Sequence, residues 1–191
     1  MIHGSVAPGF EPIADAFERA QSGDPGGAQL CIYQGSRVVV DLWAGSDPQT
    51  QVAIDGDSLF VLWSTTKGMI AILAAMLIEQ GLLDPDEPVS QVWPEYGVGG
   101  KEQTTAAHLL SHAAGLPFFP SVAGIESRDL PNWALCVETL AAAEPLWVPG
   151  TASWYHPFTF GYLNGEVIRR VSGTRVSELV IERIARPLAV D

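Results

Sequence analysis

Apolar residues at Phe10, Ile13, Ala14 and Phe17 recur at helical spacing, with Pro8 and Pro12 near the start. They predict a helix over Phe10–Ser22, which Gly23-Asp24-Pro25-Gly26-Gly27 then breaks. Two β-rich runs follow, Ala28–Tyr33 and Arg37–Trp43, and Gln34-Gly35-Ser36 between them reads as a hairpin turn. After a loop rich in Asp, Pro and Gly, the stretch from Ser64 to Gln80 is apolar on nearly every side and stops at Gly81. That pattern predicts a central, buried helix. Leu82 to Tyr96 carries Pro85, Pro88 and Pro94 and reads as an irregular connection with room for a short helix. Thr104–His112 and Trp133–Ala143 read as helices, separated by Phe118–Asn132, which shows no clear period. Phe160, Leu163, Val167 and Val171 mark a further helix ending at Gly173, and Arg175–Ala185 a last one running into Pro187.

The order is therefore helix, hairpin, then helices only. Two strands alone are marginal as a sheet. Either helices cover this hairpin or its sheet partners lie outside the chain. The length of 191 residues suits one domain, 1–191, with a real core, and 47% hydrophobic against 17% charged residues excludes disorder. A net charge of −12 with no basic run argues against nucleic acid or an anionic membrane as partner. The most apolar stretch, Met69–Ile78, is far shorter than the roughly 20 residues a membrane span requires. Met1-Ile2-His3-Gly4-Ser5 has the character of no secretory signal, and Cys31 and Cys136 give no disulfide framework. Both thiols read as small buried hydrophobes in a reducing compartment, which points to the cytoplasm.

The chain has two lysines, and Lys67 sits beside its most apolar helix. A charged ammonium there needs a reason. Ser64 lies three residues earlier, so both face the same side at the helix start. Free N–H groups and the helix dipole favour negative charge on such a serine, and a neighbouring lysine can take its proton. The plainer alternative is an N-cap serine with a snorkelling lysine, and spacing alone does not decide between them. Tyr155 follows Pro149-Gly150 between Trp154 and His156, in a loop where its hydroxyl either reaches a cleft or is satisfied locally against the core. His108 and His112 have i, i+4 spacing, but Leu109 stands where a zinc-binding H-E-x-x-H motif needs Glu; they read as structural, able to fix the loop after the helix. Gly97-Val98-Gly99-Gly100-Lys101 fails as a phosphate loop, with Glu95 and Glu102 where Gly and Ser/Thr belong. No metal or cofactor is expected.

Three groups of residues recur in order: Ser64-Thr65-Thr66-Lys67; His108-Leu109-Leu110-Ser111-His112-Ala113-Ala114-Gly115-Leu116-Pro117; and Pro149-Gly150-Thr151-Ala152-Ser153-Trp154-Tyr155-His156 with Phe160-Gly161-Tyr162 and Gly165-Glu166. Together with the tail Glu182–Leu188 they resemble the serine β-lactamase-related hydrolases: class C β-lactamases, penicillin-binding D-alanyl-D-alanine peptidases and their esterase relatives. The resemblance implies an α+β (α/β sandwich) fold of β-lactamase/transpeptidase type. It also implies that Ser64 is the acylated nucleophile, Lys67 its proton-accepting partner and Tyr155 the second-motif tyrosine. The backbone N–H of Ser64 would be one oxyanion donor. Trp63, Trp154 and His156 adjoin these residues and are the candidate substrate-binding positions.

Two departures shape the expectation. Lactamase and peptidase members of that family carry Tyr-x-Asn, whereas Pro157 stands at the third position here. This resembles the family VIII-type carboxylesterase branch and favours small esters, with short acyl groups, over β-lactams, although β-lactamase or D-alanyl-D-alanine peptidase activity also belongs to the family. The family's third motif, Lys/His/Trp-x-Gly on a late strand, has no counterpart up to Asp191. The chain therefore reads as an incomplete N-terminal half: an N-terminal helix and β-hairpin plus the helical region, with the C-terminal strands absent. The expectation is an esterase-like serine hydrolase acting on a small-molecule ester or β-lactam-like substrate; the alternative is a non-catalytic fragment or binding module. An open hairpin edge and uncovered apolar helix faces imply either aggregation or a complementing C-terminal chain.

Overall fold

The computed structural model describes residues 1–190, and the chain divides into two compact units, Met1–Val61 and Leu62–Asp191. In the first, strand β1 (Ile2–Val6), helix α1 (Glu11–Gln21) and strands β2 (Ala28–Gln34) and β3 (Arg37–Ala44) form a three-stranded antiparallel sheet in the order β1-β3-β2, with α1 against it. The expected helix and hairpin are present within a residue or two. The sheet partner the hairpin lacked is the N-terminal strand, paired Ile2 with Ala44 through Val6 with Val40. Periodicity missed β1 because it is five residues long and carries a glycine in its middle. Gly4 sits at φ +109°, and a Cβ there would lie 1.9 Å from the Asp41 carbonyl oxygen, so only glycine lets this strand approach β3. Val40, Leu42 and Ala44 bury one face against Phe17 of α1, with Phe10, Ile13, Leu30 and Ile32 around them. The outer edges of β1 and β2 have no strand partner among the described residues.

The second unit is helical. A single 3₁₀ turn, Trp63–Thr65, leads into α2 (Thr66–Glu79); α3 (Ala106–Leu110), α4 (Trp133–Ala142), α5 (Thr159–Ser172) and α6 (Val176–Val180) follow. Helix α5 is the hub, touching α2, α3, α4 and α6, and it buries Phe160, Leu163, Val167 and Ile168. Gly173 in the left-handed region ends it, as the sequence indicates. Helix α2 corrects the expectation of burial on every side. Ile70, Leu73, Ala74 and Leu77 are buried, but Ala71, Ile72 and Ala75 are exposed, because α5 and α6 cover one side only. The expected Arg175–Ala185 helix is α6 followed by a π-helical turn over Ile181–Ala185, and the third helix is shorter than its pattern.

Lys101, in the segment that fails as a phosphate loop, is fully buried. Its ammonium donates to the carbonyls of Val98 (3.0 Å) and Ala143 and lies 5.2 Å from the centre of the Tyr96 ring. It ties that loop to the C-terminal end of α4, where carbonyls lack intrahelical partners.

Candidate active site

Ser64 stands in the turn entering α2, and Lys67 lies one turn further on the same face. The ammonium of Lys67 donates to Ser64 Oγ (3.1 Å) and to the backbone carbonyl of Pro157 (2.8 Å). It also lies 4.8 Å from the centre of the Tyr155 ring and 5.7 Å from that of Phe160. The Tyr155 hydroxyl is 2.6 Å from Ser64 Oγ. One serine oxygen thus contacts an ammonium three residues along the chain and a phenol 91 residues away. The nearby Lys67, and then the Ser64 hydroxyl, hold the Tyr155 phenol below the usual tyrosine range against a smaller opposing effect of burial. A hydroxyl in such contacts can surrender its proton as its oxygen attacks a carbonyl.

The segment Ser111–Leu116 aligns Tyr155. The carbonyls of Ser111 and His112 accept from Ser153 Oγ and the Trp154 N–H, and the Ala113 carbonyl accepts from the Gly150 N–H and the Trp147 indole. The Gly115 carbonyl accepts from the Leu146 N–H, while the Leu116 carbonyl accepts from Thr159 Oγ1. At Gly115, φ is +78° and a Cβ would come within 2.7 Å of the Trp147 carbonyl oxygen. A side chain there would push the two loops apart. His112, also left-handed at φ +62°, accepts the His156 N–H on Nδ1 (3.1 Å) and packs its ring against Tyr155, His156 and Phe160. Burial, and then the Lys67 charge, push the His112 pKa down, which keeps the Nδ1 lone pair available. His108 closes a capping box with Thr105 at the start of α3.

The six sequence-derived residues separate clearly. Ser64, Lys67 and Tyr155 meet, and Trp63 lines a cavity of about 450 Å³ beside Ser64 and Lys67. His156 does not reach it. That ring is buried, donates from Nδ1 to the Trp154 carbonyl (2.6 Å) and accepts the Leu116 N–H on Nε2 (3.2 Å), so its role is to lock the Tyr155 loop. Burial holds its pKa down, in keeping with a neutral ring. Trp154 is exposed and lies outside the cavity lining. Sequence reasoning missed the apolar wall supplied by Ile70, Leu130, Trp133, Phe160, Tyr162 and Val176, because those positions read as ordinary core. It also missed the Pro157 carbonyl: a backbone acceptor leaves no signature in the residue type.

Trp63 sits at φ +46°, a region in which an aromatic residue is strained, and its side chain is 80% exposed. Trp63→Gly is therefore expected to raise stability by about 1 kcal/mol, because strain is released and little burial is lost. Thermal unfolding tests this: an unchanged or lower melting temperature counts against strain at that residue.

A family model described as Beta-lactamase matches residues 14–191. This chain belongs to the Beta-lactamase family. It is 34% identical over 192 residues to the esterase/beta-lactamase LipL of Mycobacterium tuberculosis, covering 100% of this chain and 44% of LipL. It is 26% identical over 196 residues to a beta-lactamase of Escherichia coli, covering 100% of this chain and 46% of that protein. Among solved structures, a penicillin-binding protein homologue from Caulobacter crescentus superimposes with TM-score 0.90 at 39% identity, over 99% of this chain and 51% of that one. A family VIII carboxylesterase gives TM-score 0.89 at 38% identity, over 98% and 51%. The fold is thus that of β-lactamases and penicillin-binding proteins, and the chain spans about half the length of these relatives. No helix among the described residues is long and apolar enough to cross a membrane.

Proposed function

We propose that this Beta-lactamase family chain carries the nucleophilic half of an esterase-like serine hydrolase. The carrying observation is the pair of contacts at Ser64 Oγ, 2.6 Å from the Tyr155 hydroxyl and 3.1 Å from the Lys67 ammonium. In the proposed reaction Ser64 Oγ attacks the ester carbonyl and its proton passes to the Tyr155–Lys67 pair. The tetrahedral intermediate then collapses, the C–O bond to the alcohol breaks, and the same pair returns the proton to the departing oxygen. Water, giving up a proton to the pair, next attacks the acyl-Ser64 ester; the carboxylic acid leaves and Ser64 regains its hydrogen.

A preference for esters over β-lactams rests on Pro157. The Lys67 ammonium is anchored there by a main-chain carbonyl, and the proline side chain offers no amide to a substrate. The apolar cavity wall points the same way. The alternative reading is a binding module that keeps the Ser64 pocket without turnover.

Fluorophosphonate labelling of the folded chain, with the modified residue located by mass spectrometry, separates the two. Modification at Ser64 is expected. A folded chain that stays unmodified, or is modified elsewhere, overturns the hydrolase reading in favour of the module.

A further inference from the structure

Trp133, the first residue of α4, lines two separate cavities. One is the cavity of about 450 Å³ beside Ser64 and Lys67. The other, of about 780 Å³, is walled by Trp93, Val137 and Ala141 together with charged residues, Glu138, Arg169 and Arg170 among them. The indole is held by contacts of three kinds. Its N–H donates to Glu166 Oε2 (3.0 Å), its ring packs on Tyr162 with centroids 5.3 Å apart, and its edge rests on Gly165, where a Cβ would come within 2.7 Å. Tyr162 is in turn fixed by donating its hydroxyl to the Leu130 carbonyl (2.6 Å). Glu166 is buried and held by Arg169 and Arg170, so the acceptor gripping the indole cannot swing away without breaking ion pairs.

From this we infer that Trp133 is the partition that ends the acyl pocket and sets the longest apolar acyl group the enzyme accepts. The inference rests on the hydrolase reading and extends it from small esters in general to acyl groups that fill an apolar pocket of fixed depth. At about 450 Å³ the pocket lies near the low end of ~300–1,000 Å³ for small-molecule sites. Each methylene that enters before the wall is reached is expected to improve acylation by up to about fourfold. A chain that meets the indole gains nothing further and loses rate to steric conflict. Without the indole the two cavities join, and longer chains have somewhere to go.

The test uses two series of 4-nitrophenyl phosphonates, in which phosphorus stands in for the attacked carbonyl carbon. In one the alkyl group on phosphorus runs from methyl to decyl with a constant ethoxy group; in the other the alkoxy group is lengthened instead. The rate of Ser64 modification is read by mass spectrometry. For the unaltered chain the rate is expected to climb with alkyl length and then drop at least tenfold. In Trp133→Ala that drop is expected to move to longer chains. Trp133→Phe, which keeps a packed ring without the indole N–H, guards against loss of fold and is expected to move the drop by a smaller step. A drop that stays in place in both variants overturns the inference and leaves the hydrolase reading intact. So does a limit that follows the alkoxy series rather than the alkyl one. No modification of Ser64 by any member overturns the hydrolase reading itself.

Discussion

In a Lys67→Met variant, acylation of Ser64 is expected to fall by about 10²–10⁴-fold, the range over which a positioned proton-transfer group contributes. The fold is expected to lose far less. Methionine keeps an unbranched apolar stem of similar reach, and the cost is the bond to the Pro157 carbonyl together with the contact to Ser64, about 1 kcal/mol each. Labelling rate and melting temperature measured on the same preparations separate the roles. A loss of rate no larger than the loss of folded protein would make Lys67 a structural lysine. The pH profile adds a second readout. Lys67 and then Ser64 hold the Tyr155 phenol below its ordinary value, and in the proposed reaction the phenolate is the form able to accept the serine proton. The rate should therefore rise with pH along a limb whose midpoint lies below the ordinary tyrosine value. Tyr155→Phe should remove that limb, and Lys67→Met should shift any that remains upward.

Glu166→Ala is expected to cost about 3 kcal/mol, a large part of the ~5–15 kcal/mol that keeps a typical domain folded. Burial alone pushes this carboxyl up, but hydrogen bonds from Arg169, Arg170 and the Trp133 indole outweigh it and hold the pKa at about 2. The displacement from 4.5 to about 2 corresponds to roughly 3 kcal/mol. Arg169 and Arg170 remain partly exposed, so water recovers some of what they lose when the carboxylate goes. The sign follows from the depressed value. The unfolded chain takes up the proton first as pH falls, so the contribution is complete above about pH 4.5 and fades as pH drops through about 2. Urea midpoints at neutral pH and near pH 3 should differ more for the unaltered chain than for Glu166→Gln. Equal differences would show that other carboxylates govern acid unfolding.

The sequence by itself determined the order of the helices, the hairpin and the catalytic candidates. Those signals are local: Ser64 and Lys67 are one helical turn apart, and Gly81 and Gly173 stop helices wherever the helices pack. The run Ser111–Leu116 was legible only as a motif; its meaning, a row of carbonyls and a histidine lone pair that orient the Tyr155 loop, depends on a strand of chain more than thirty residues away. Tertiary structure alone decided four things. It paired Ile2–Val6 with β3, a strand too short and too glycine-bearing to show a period. It left one face of an apolar helix, at Ile72, open to solvent, because hydrophobicity says that a residue would gain from burial and not whether a neighbour arrives. It turned His156 inward as a lock and left Trp63 at the cavity, although both flank the site in sequence. And it gave the anchoring of Lys67 to the carbonyl of Pro157, since every residue carries that acceptor and only the path of the backbone determines where it points.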